Sequence, residues 1–394
     1  MKRRLAGEAP LLRLSVSLVI GIIMARYVPI PIPVLPVLAA MVGVSCLLYR
    51  FKHLQSAAVM VCFLLLGMCV MQHHQTISVE VQTESRLERS KSFFLQQRSK
   101  LLERFSESGM DADAYAVVAA MSLGDKSELT HDLKETYSVS GASHVLALSG
   151  LHLGLIYMLL SLFLPRRRWP ALSQLFMILV VWMFVFLVGM SVSVVRSAVM
   201  FTVYGLLSIG NREKMSVNAL AFTAIVMLVW NPSWLFDVGF QMSFMAVLAI
   251  LLFVPLFEDV FPAAYLMEHR WLKWTWGMVA VSCSAQLGVA PLIAYYFGRF
   301  STYFLLTNFV VVPATFLIIS LSLVVLLFPS LAYLLLYIVK SLNSILSGIA
   351  TLPGACIDGL RPTILQVAMC YVVILCCYLL IGRIGPIVGW KASR

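Results

Sequence analysis

The sequence predicts an all-α fold, a polytopic transmembrane helical bundle of about 12 spans in which some helices are kinked or interrupted. Composition is the first reason for this prediction. Of the 394 residues, 61% are hydrophobic and 12% are charged, and the mean hydropathy is +0.92. Soluble domains are about 45–50% apolar and about 25% charged. The composition therefore excludes a water-soluble globular domain, and also a disordered or fibrous chain.

The second reason is that apolar runs recur at close to the ~20 residues that a membrane-spanning helix needs. They lie near 11–27, 33–49, 56–72, 144–164, 170–190, 193–210, 216–230, 236–257, 274–296, 302–328, 330–350 and 363–383. The first run resembles the core of a signal peptide, but it lacks an A-x-A cleavage site and a second run follows soon after. We therefore expect a retained first span.

The runs divide the chain into four predicted segments. We expect an N-terminal three-span unit (1–72), an outer-side amphipathic helical segment (73–143), a transmembrane core (144–328) and C-terminal spans (329–394). The net charge is +11, and nearly all short loops on the side of the N-terminus carry Lys or Arg. The positive-inside rule then predicts a plasma (inner) membrane protein with both termini cytoplasmic. Topology accounts for the basic excess, which is not evidence for nucleic-acid binding.

The polar segment 73–143 carries a helical stripe of apolar residues that predicts an amphipathic helix lying on the bilayer or on the bundle. The stripe consists of Leu87, Phe94, Leu101 and Phe105. A second helix is expected over 112–122, ending near Gly124. Asp125 is predicted to cap a third helix, with Glu128 completing a capping box. The segment is otherwise interpreted as a helical linker that returns the chain to the membrane.

Polar residues inside apolar runs are costly, so they normally face a cavity or a partner. The first such cluster holds His144, Ser149 and His152. The Ser149-Gly150 pair either breaks the helix and lines a cavity, or belongs to tight packing, which Gly150 and Gly154 would permit. No third ligand has suitable spacing, so a metal site is not expected.

The second cluster contains the permanently charged Arg196, and the third is a series of polar residues at the start of a predicted span. Arg196 needs a carboxylate, carbonyls, water or an anion, and Asp237 is the best carboxylate at similar depth for a structural pair. Asn231-Pro232 marks a turn. Beyond it, Gln241 and Ser243 either hydrogen-bond neighbouring helices or face water.

The fourth cluster, Gln286 and Asn308 with Pro291 and Pro313, predicts kinked or interrupted helices, which point to a translocation pathway. The predicted pore-lining or functional polar residues are His144, Ser149, His152, Arg196, Asp237, Gln241, Ser243, Gln286 and Asn308. No catalytic residue, metal ligand or cofactor is predicted. The sequence has no G-x-x-x-x-G-K-[ST] loop and therefore encodes no ATP-driven motor.

These clusters, in this order, resemble the competence block of the ComEC family of DNA-uptake channels over roughly 110–325. The resemblance rests on Ser122-Leu-Gly-Asp-Lys126, on the block from His144 to His152, on Ser193 to Arg196, on Asn218-Ala-Leu, on Asn231 to Phe244, and on Gln286, Pro291, Phe297, Asn308 and Pro313. The resemblance to this family is specific because the block from His144 to His152 and the Asn-Pro block occur together and in the family's order.

The resemblance implies an inner-membrane channel that passes one DNA strand inward, with the matched residues in or around its pathway. It implies single-stranded DNA and membrane lipids as partners, together with a separate ATP-driven motor and DNA-binding proteins. Longer members carry a β-barrel nucleic-acid-binding domain and a metallo-β-lactamase-like domain. Residues 73–109 are too short for the barrel, so we expect a short form lacking both domains, without nuclease activity. The oligomeric state is not predicted.

Two other functions remain open. A small-solute membrane transporter needs the same polar path through a bundle. A membrane-embedded serine hydrolase would use Ser149 with His152, although the sequence assigns no oxyanion hole. A DNA channel needs a wet path with cationic or amide donors and aromatic surfaces. The sequence offers Arg196, the polar clusters and 45 aromatic residues. These residues indicate a polar pathway through a bundle, and they do not by themselves select its cargo.

Overall fold

A computed structural model describes residues 10–28, 34–77, 86–164, 170–209 and 217–384. The α-helices are, in chain order, α1 (Pro10–Tyr27), α2 (Val34–Leu47), α3 (Lys52–Ile77), α4 (Arg86–Ser106), α5 (Ala112–Val118), α6 (His131–Val139), α7 (Ser143–Leu146), α8 (Gly150–Phe163), α9 (Pro170–Leu187), α10 (Val192–Ile209), α11 (Val217–Trp230), α12 (Val238–Glu258), α13 (Ala263–Glu268), α14 (Arg270–Phe297), α15 (Phe304–Val325), α16 (Ala332–Ala350) and α17 (Ile364–Ile384). The described strands, β1 (Arg299–Ser301) and β2 (Cys356–Asp358), pair antiparallel with Phe300 opposite Ile357. The expected all-α membrane bundle is confirmed.

Eight helical segments of the described residues are long and apolar enough to cross a membrane, and five shorter apolar helices accompany them. Three of the shorter ones, α2, α8 and α11, have 14 residues each. At 1.5 Å per residue, such a helix is shorter than the ~30 Å hydrocarbon core. The helices α12, α14 and α15 continue through Pro255, Pro291 and Pro313, respectively. Both termini of the chain lie outside the described residues.

Contacts divide the chain into two compact units, 1–84 with 212–241, and 85–211 with 242–394. The four segments drawn from the sequence stay a prediction. In the first unit, α1 crosses α3 with the two backbones in contact: Gly21 faces the Leu64 carbonyl and Gly67 faces the Leu18 carbonyl. Only residues without a side chain allow this approach. The helix α11 packs on α1.

The core of the second unit lies where α5 and α6 pack against α15 and α16. Tyr137 of α6 is buried and donates a hydrogen bond to Asn343 Oδ1 of α16 at 2.7 Å. The helix α4 joins this core through Phe105, which is 1% exposed. Its Phe94 stacks on Phe186 of α9, with ring centroids 5.5 Å apart. The amphipathic helix therefore lies on the bundle, although the side chain of Leu87 falls outside the described part.

The predicted cap at Asp125 is wrong. The helix α5 continues as one π-helical turn, Ala119–Leu123, and ends at Gly124 in the left-handed conformation, as expected. The next helix, α6, begins six residues after Asp125, and Thr130 caps it by accepting from the Leu133 N–H at 3.3 Å. Thr130 sits directly before the helical segment, and so it takes the capping role that Asp125 and Glu128 were expected to fill.

Candidate functional site

The apolar run 144–164 is not one helix. The helix α7 ends at Leu146, Ala147 and Ser149 are extended (φ −97°, ψ 125° and φ −133°, ψ 178°), and α8 begins at Gly150. This break confirms the alternative in which Ser149-Gly150 interrupts the helix. A broken helix exposes backbone N–H and C=O groups that must be satisfied by side chains or by a wet cavity.

Ser149 and His152 form a reciprocal cap at the start of α8. Ser149 Oγ accepts from the Leu151 N–H at 3.3 Å, and His152 Nδ1 accepts from the Ser149 N–H at 3.3 Å. Ser149 Oγ also lies 3.2 Å from Nδ1. Because Nδ1 accepts a backbone proton, the neutral ring carries its own proton on Nε2. The predicted Ser–His proximity is therefore real, and its first role is to hold the helix terminus.

The pair lacks the third member of a hydrolase triad among the described residues. His152 is 1% exposed, and no carboxylate of the described part accepts a hydrogen bond from its Nε2. A triad uses such a carboxylate to orient the base. The contact resembles a capping box more than an activated nucleophile.

The start of α8 packs against α10 beside the buried arginine. A Cβ atom at Gly150 would lie 3.0 Å from Ser197 Oγ, and one at Gly154 would lie 3.6 Å from the Phe201 ring. The two glycines thus admit α10 closely, as one of the alternatives had it. The break at Ser149 and the adjacent Arg196-Ser197 pair, far apart in sequence, are neighbours in the second unit.

Arg196 is the largest fully buried side chain among the described residues, at 2% exposure. Its Cζ atom lies 5.9 Å from the centroid of the Phe244 ring on α12, within the range of a cation–π contact. Phe244 closes the block that begins at Asn231, so the second cluster and the end of the third meet here. Ser243, the residue before Phe244, is half-buried on α12.

The polar residues of the Asn-Pro block satisfy local backbone groups in the first unit. Asn231 Oδ1 accepts from the Ser233 N–H at 3.0 Å, and Asp237 Oδ1 accepts from the Phe240 N–H at 2.8 Å. Gln241 Nε2 donates to the Leu235 carbonyl at 3.0 Å. Asp237 therefore caps α12. Its pairing with Arg196 stays a prediction.

A second polar group joins the turn before α7 to α15 and α14. His144 is exposed, and its Nδ1 lies 3.1 Å from the Gly141 carbonyl oxygen. Thr307 Oγ1 donates to the buried Ser140 carbonyl at 2.7 Å. The next residue, Asn308, donates from Nδ2 to Ser282 Oγ at 3.1 Å. Thr307 thus joins this turn to α15, and Asn308 joins α15 to α14.

Three buried polar atoms of this region make no hydrogen bond within the described chain: His152 Nε2, Ser284 Oγ and Asn308 Oδ1. Buried polar groups normally have partners, and water or a ligand supplies them where protein does not. These atoms lie on α8, α14 and α15, and α8 packs against α15. Gln286 is placed differently, in an apolar groove between α14 and α17.

One feature with no sequence prediction is the ion pair that joins α4 to the end of α5. Arg98 Nη2 lies 3.4 Å from Asp125 Oδ2. Partial burial opposes ionisation of Asp125, but hydrogen bonds from Ser127 and the charge of Arg98 outweigh it and lower the pKa of Asp125. Asp125 belongs to the Ser122-to-Lys126 motif, and a π-helical turn such as the one before it often marks a functional site. The motif in the sequence therefore pointed to this region, but nothing in the sequence predicted that Arg98 of α4 pairs with Asp125.

Comparisons with known proteins identify the family. The family model described as "Competence protein" matches residues 121–384, more than half of the chain. ComE operon protein 3 of Bacillus subtilis (strain 168) is 32% identical over 250 residues, which cover 61% of this chain and 30% of that protein. An uncharacterized protein of Aquifex aeolicus (strain VF5) is 33% identical over 198 residues, 50% of this chain and 44% of that protein.

The chain spans less than half the length of these curated relatives. No solved structure matches it. The family match begins at Met121 in the π-helical turn and covers the broken helix, the buried arginine and the Asn-Pro block. The chain belongs to the ComEC family of competence proteins.

Proposed function

We propose that the second unit contributes to a membrane pathway through which one strand of DNA enters the cytoplasm. The observation that carries this proposal is Arg196, a permanently charged guanidinium held at 2% exposure among membrane helices. Such a charge is costly in a membrane and normally marks a substrate or ion pathway. The helix break at Ser149 lies beside it, and broken helices recur at transport sites.

The chemistry of the cluster suits a polyanion with stackable bases. A guanidinium binds phosphate oxygens in a bidentate manner and also stacks on aromatic faces. Phe244 already lies against Arg196, and single-stranded nucleic acids bind where cations alternate with aromatic rings. The unsatisfied hydroxyl, amide and imidazole atoms would serve as further contacts for water or substrate. A separate motor would supply the energy, because the chain has no phosphate-binding loop.

The proposal is tested by deleting the gene in a naturally competent host. We expect labelled DNA to be captured at the cell surface as before, while the DNA that becomes resistant to external nuclease in the cytoplasm disappears. Plasmid introduced by electroporation bypasses the pathway and is the control for general viability. Normal transformation of the deletion strain would overturn the proposal. If uptake of a small solute were lost instead, the chain would be a transporter.

A further inference from the structure

An apolar groove of about 980 Å³ runs between α14 and α17 in the second unit. From α14 it is lined by residues between Cys283 and Pro291, and from α17 by residues between Gln366 and Ile374. Three phenylalanines from other elements complete its wall, Phe257, Phe300 and Phe304. Pockets of about 300–1,000 Å³ hold molecules of drug size, so the groove has room for a long alkyl chain. Tyr371 Oη donates to the Gly288 carbonyl at 2.8 Å and holds the two helices together.

A polar cleft of about 460 Å³ follows the groove along the same two segments. It is lined by Tyr295 to Arg299, at the end of α14, and by Asp358 to Pro362, just before α17. Tyr295 lies four positions after Pro291, and Gln366 lies four positions after Pro362. At 1.5 Å per residue, the cleft lies about 6 Å beyond the groove on α14.

Both helices place the cleft and the groove at the same relative depths. The apolar window of α17 begins at Ile364, so Arg361 lies just outside the span and the groove lies within it. On α14 the cleft coincides with the end of the span, where Tyr295 and Tyr296 are exposed. Tyrosine is enriched at the level of the lipid head groups. The cleft is therefore an interfacial feature and the groove a hydrocarbon feature.

The cleft contains one cation that is not committed to the protein. Arg299 is held by Glu135 at 2.9 Å and by Asp358 at 3.3 Å. Arg361 is exposed and makes no ion pair or hydrogen bond with any residue of the described ranges. Gln366 accepts from the Thr363 N–H at 2.7 Å, which leaves its amide N–H groups available between cleft and groove.

We propose that a membrane glycerophospholipid binds along this seam, with its phosphate against Arg361 and an acyl chain in the groove. The phosphate meets the free guanidinium at the interface, and a charge-assisted contact of this kind is stronger than a neutral one. The Gln366 amide donates a hydrogen bond to an ester carbonyl of the lipid, which lies deeper in the membrane than the phosphate. The acyl chain covers the apolar walls that α14 and α17 leave open. The site is separate from the Arg196 cluster and does not depend on the proposed DNA pathway.

The test uses the full chain in detergent with a phosphatidylglycerol that carries a diazirine in one acyl chain. After irradiation, peptide mass spectrometry locates the label. We expect it to concentrate on 283–291 and 366–374. Arg361→Gln should lower this labelling by about an order of magnitude, as for the loss of one charge-assisted hydrogen bond. Arg270→Gln, at the opposite end of α14 and also exposed, is the matched control and should leave it unchanged.

A second pair of variants tests the groove itself. Val373 lines it and Val372 does not, although both are 59% exposed. Val373→Trp should abolish labelling of the groove peptides, whereas Val372→Trp should retain it with the same gel-filtration profile. Equal labelling of the two variants would overturn the proposal, as would equal labelling by diacylglycerol with the same diazirine. Displacement of the lipid by a single-stranded oligonucleotide would assign the cleft to nucleic acid and would also overturn it.

Discussion

Polar residues that are distant in the sequence of this protein lie close together at one helix terminus. Ser149 satisfies a helix terminus through its hydroxyl, and His152 satisfies the same terminus through Nδ1. Arg196 is buried two helices away in sequence, yet it adjoins this terminus through Ser197 and Gly150. Substitutions must therefore separate the loss of a cap from the loss of a reacting group or of a charge.

Ser149→Asn is the variant that makes this separation. Asn caps helices about as well as Ser, whereas Ala costs about 0.5–2 kcal/mol. A DNA pathway should keep most of its transformation frequency in Ser149→Asn and lose part of it in Ser149→Ala. A serine hydrolase would lose activity fully in both variants, because neither has the nucleophile. Transformation frequency is measured with protein abundance in the membrane as the control.

Arg196→Ala is expected to lower DNA uptake strongly, because it removes the buried charge beside the broken helix. Lys340→Ala is the matched control. Lys340 is also within an apolar helix, but it is half-exposed and lies 3.6 Å from Asp111, a surface pair worth about 0–1 kcal/mol. Uptake of nuclease-resistant DNA is measured for both at equal protein abundance. Equal effects of the two substitutions would contradict a special role for Arg196.

At the scale of elements, two kinds of contact hold the helices together. Glycines allow close backbone approach, as between α1 and α3. Amphipathic packing and an ion pair hold α4 on the second unit, through Phe105 and Arg98. The first kind is insensitive to pH, and the second depends on the ionisation of Asp125.

Gly67→Ala should destabilise the first unit, because its methyl group would collide with the Leu18 backbone carbonyl. Overpacking of this kind costs about 1–3 kcal/mol. Gly43→Ala on α2 meets nothing within 4 Å and should be neutral or stabilising by up to about 1 kcal/mol. Thermal unfolding in detergent measures both. A Gly67→Ala protein as stable as the Gly43→Ala protein would refute the close crossing.

Asp125→Asn should weaken the attachment of α4 at neutral pH by about 1 kcal/mol, the upper end of the range for surface ion pairs, because this pair is only partly exposed. The folded-state pKa of Asp125 is below its ordinary value of 3.8. The carboxylate therefore stabilises the protein above that value, and its contribution disappears as the pH falls through the folded-state pKa. Unfolding measured from pH 7 to pH 3 should show the two proteins converging at the acidic end. Glu107→Gln, at an exposed carboxylate, should show no such convergence.

At the scale of the whole molecule, the distribution of Lys and Arg predicts which loops face the cytoplasm. Alkaline phosphatase fused after Glu128, between α5 and α6, should be active because this loop is expected outside. A fusion after His269, between α13 and α14, should be inactive, and a fluorescent protein fused there should fold. The reverse pattern would invert the predicted topology. The measurement is enzyme activity normalised to the amount of fusion protein.

Much of the fold was predictable, because hydrophobic length alone marks membrane helices. The helices α9, α12 and α17 begin within two residues of the predicted runs. The helix break at 147–149 remained one of two alternatives, because the backbone conformation within an apolar run cannot be deduced from its hydrophobicity. The predicted cap at Asp125 was wrong, because the helix begins only at His131 and Thr130, directly before it, is the residue that caps it.

The sequence by itself determined that this is a helical membrane protein and which polar residues stand inside its apolar runs, because both follow from the cost of placing polar groups in lipid. Only the tertiary structure decided which of these residues meet. It joined Gly150 to Ser197 and Arg196 to Phe244, and it placed Gln286 in a groove between α14 and α17. Such contacts depend on how helices distant in sequence cross, and periodicity along one helix carries no information about the crossing.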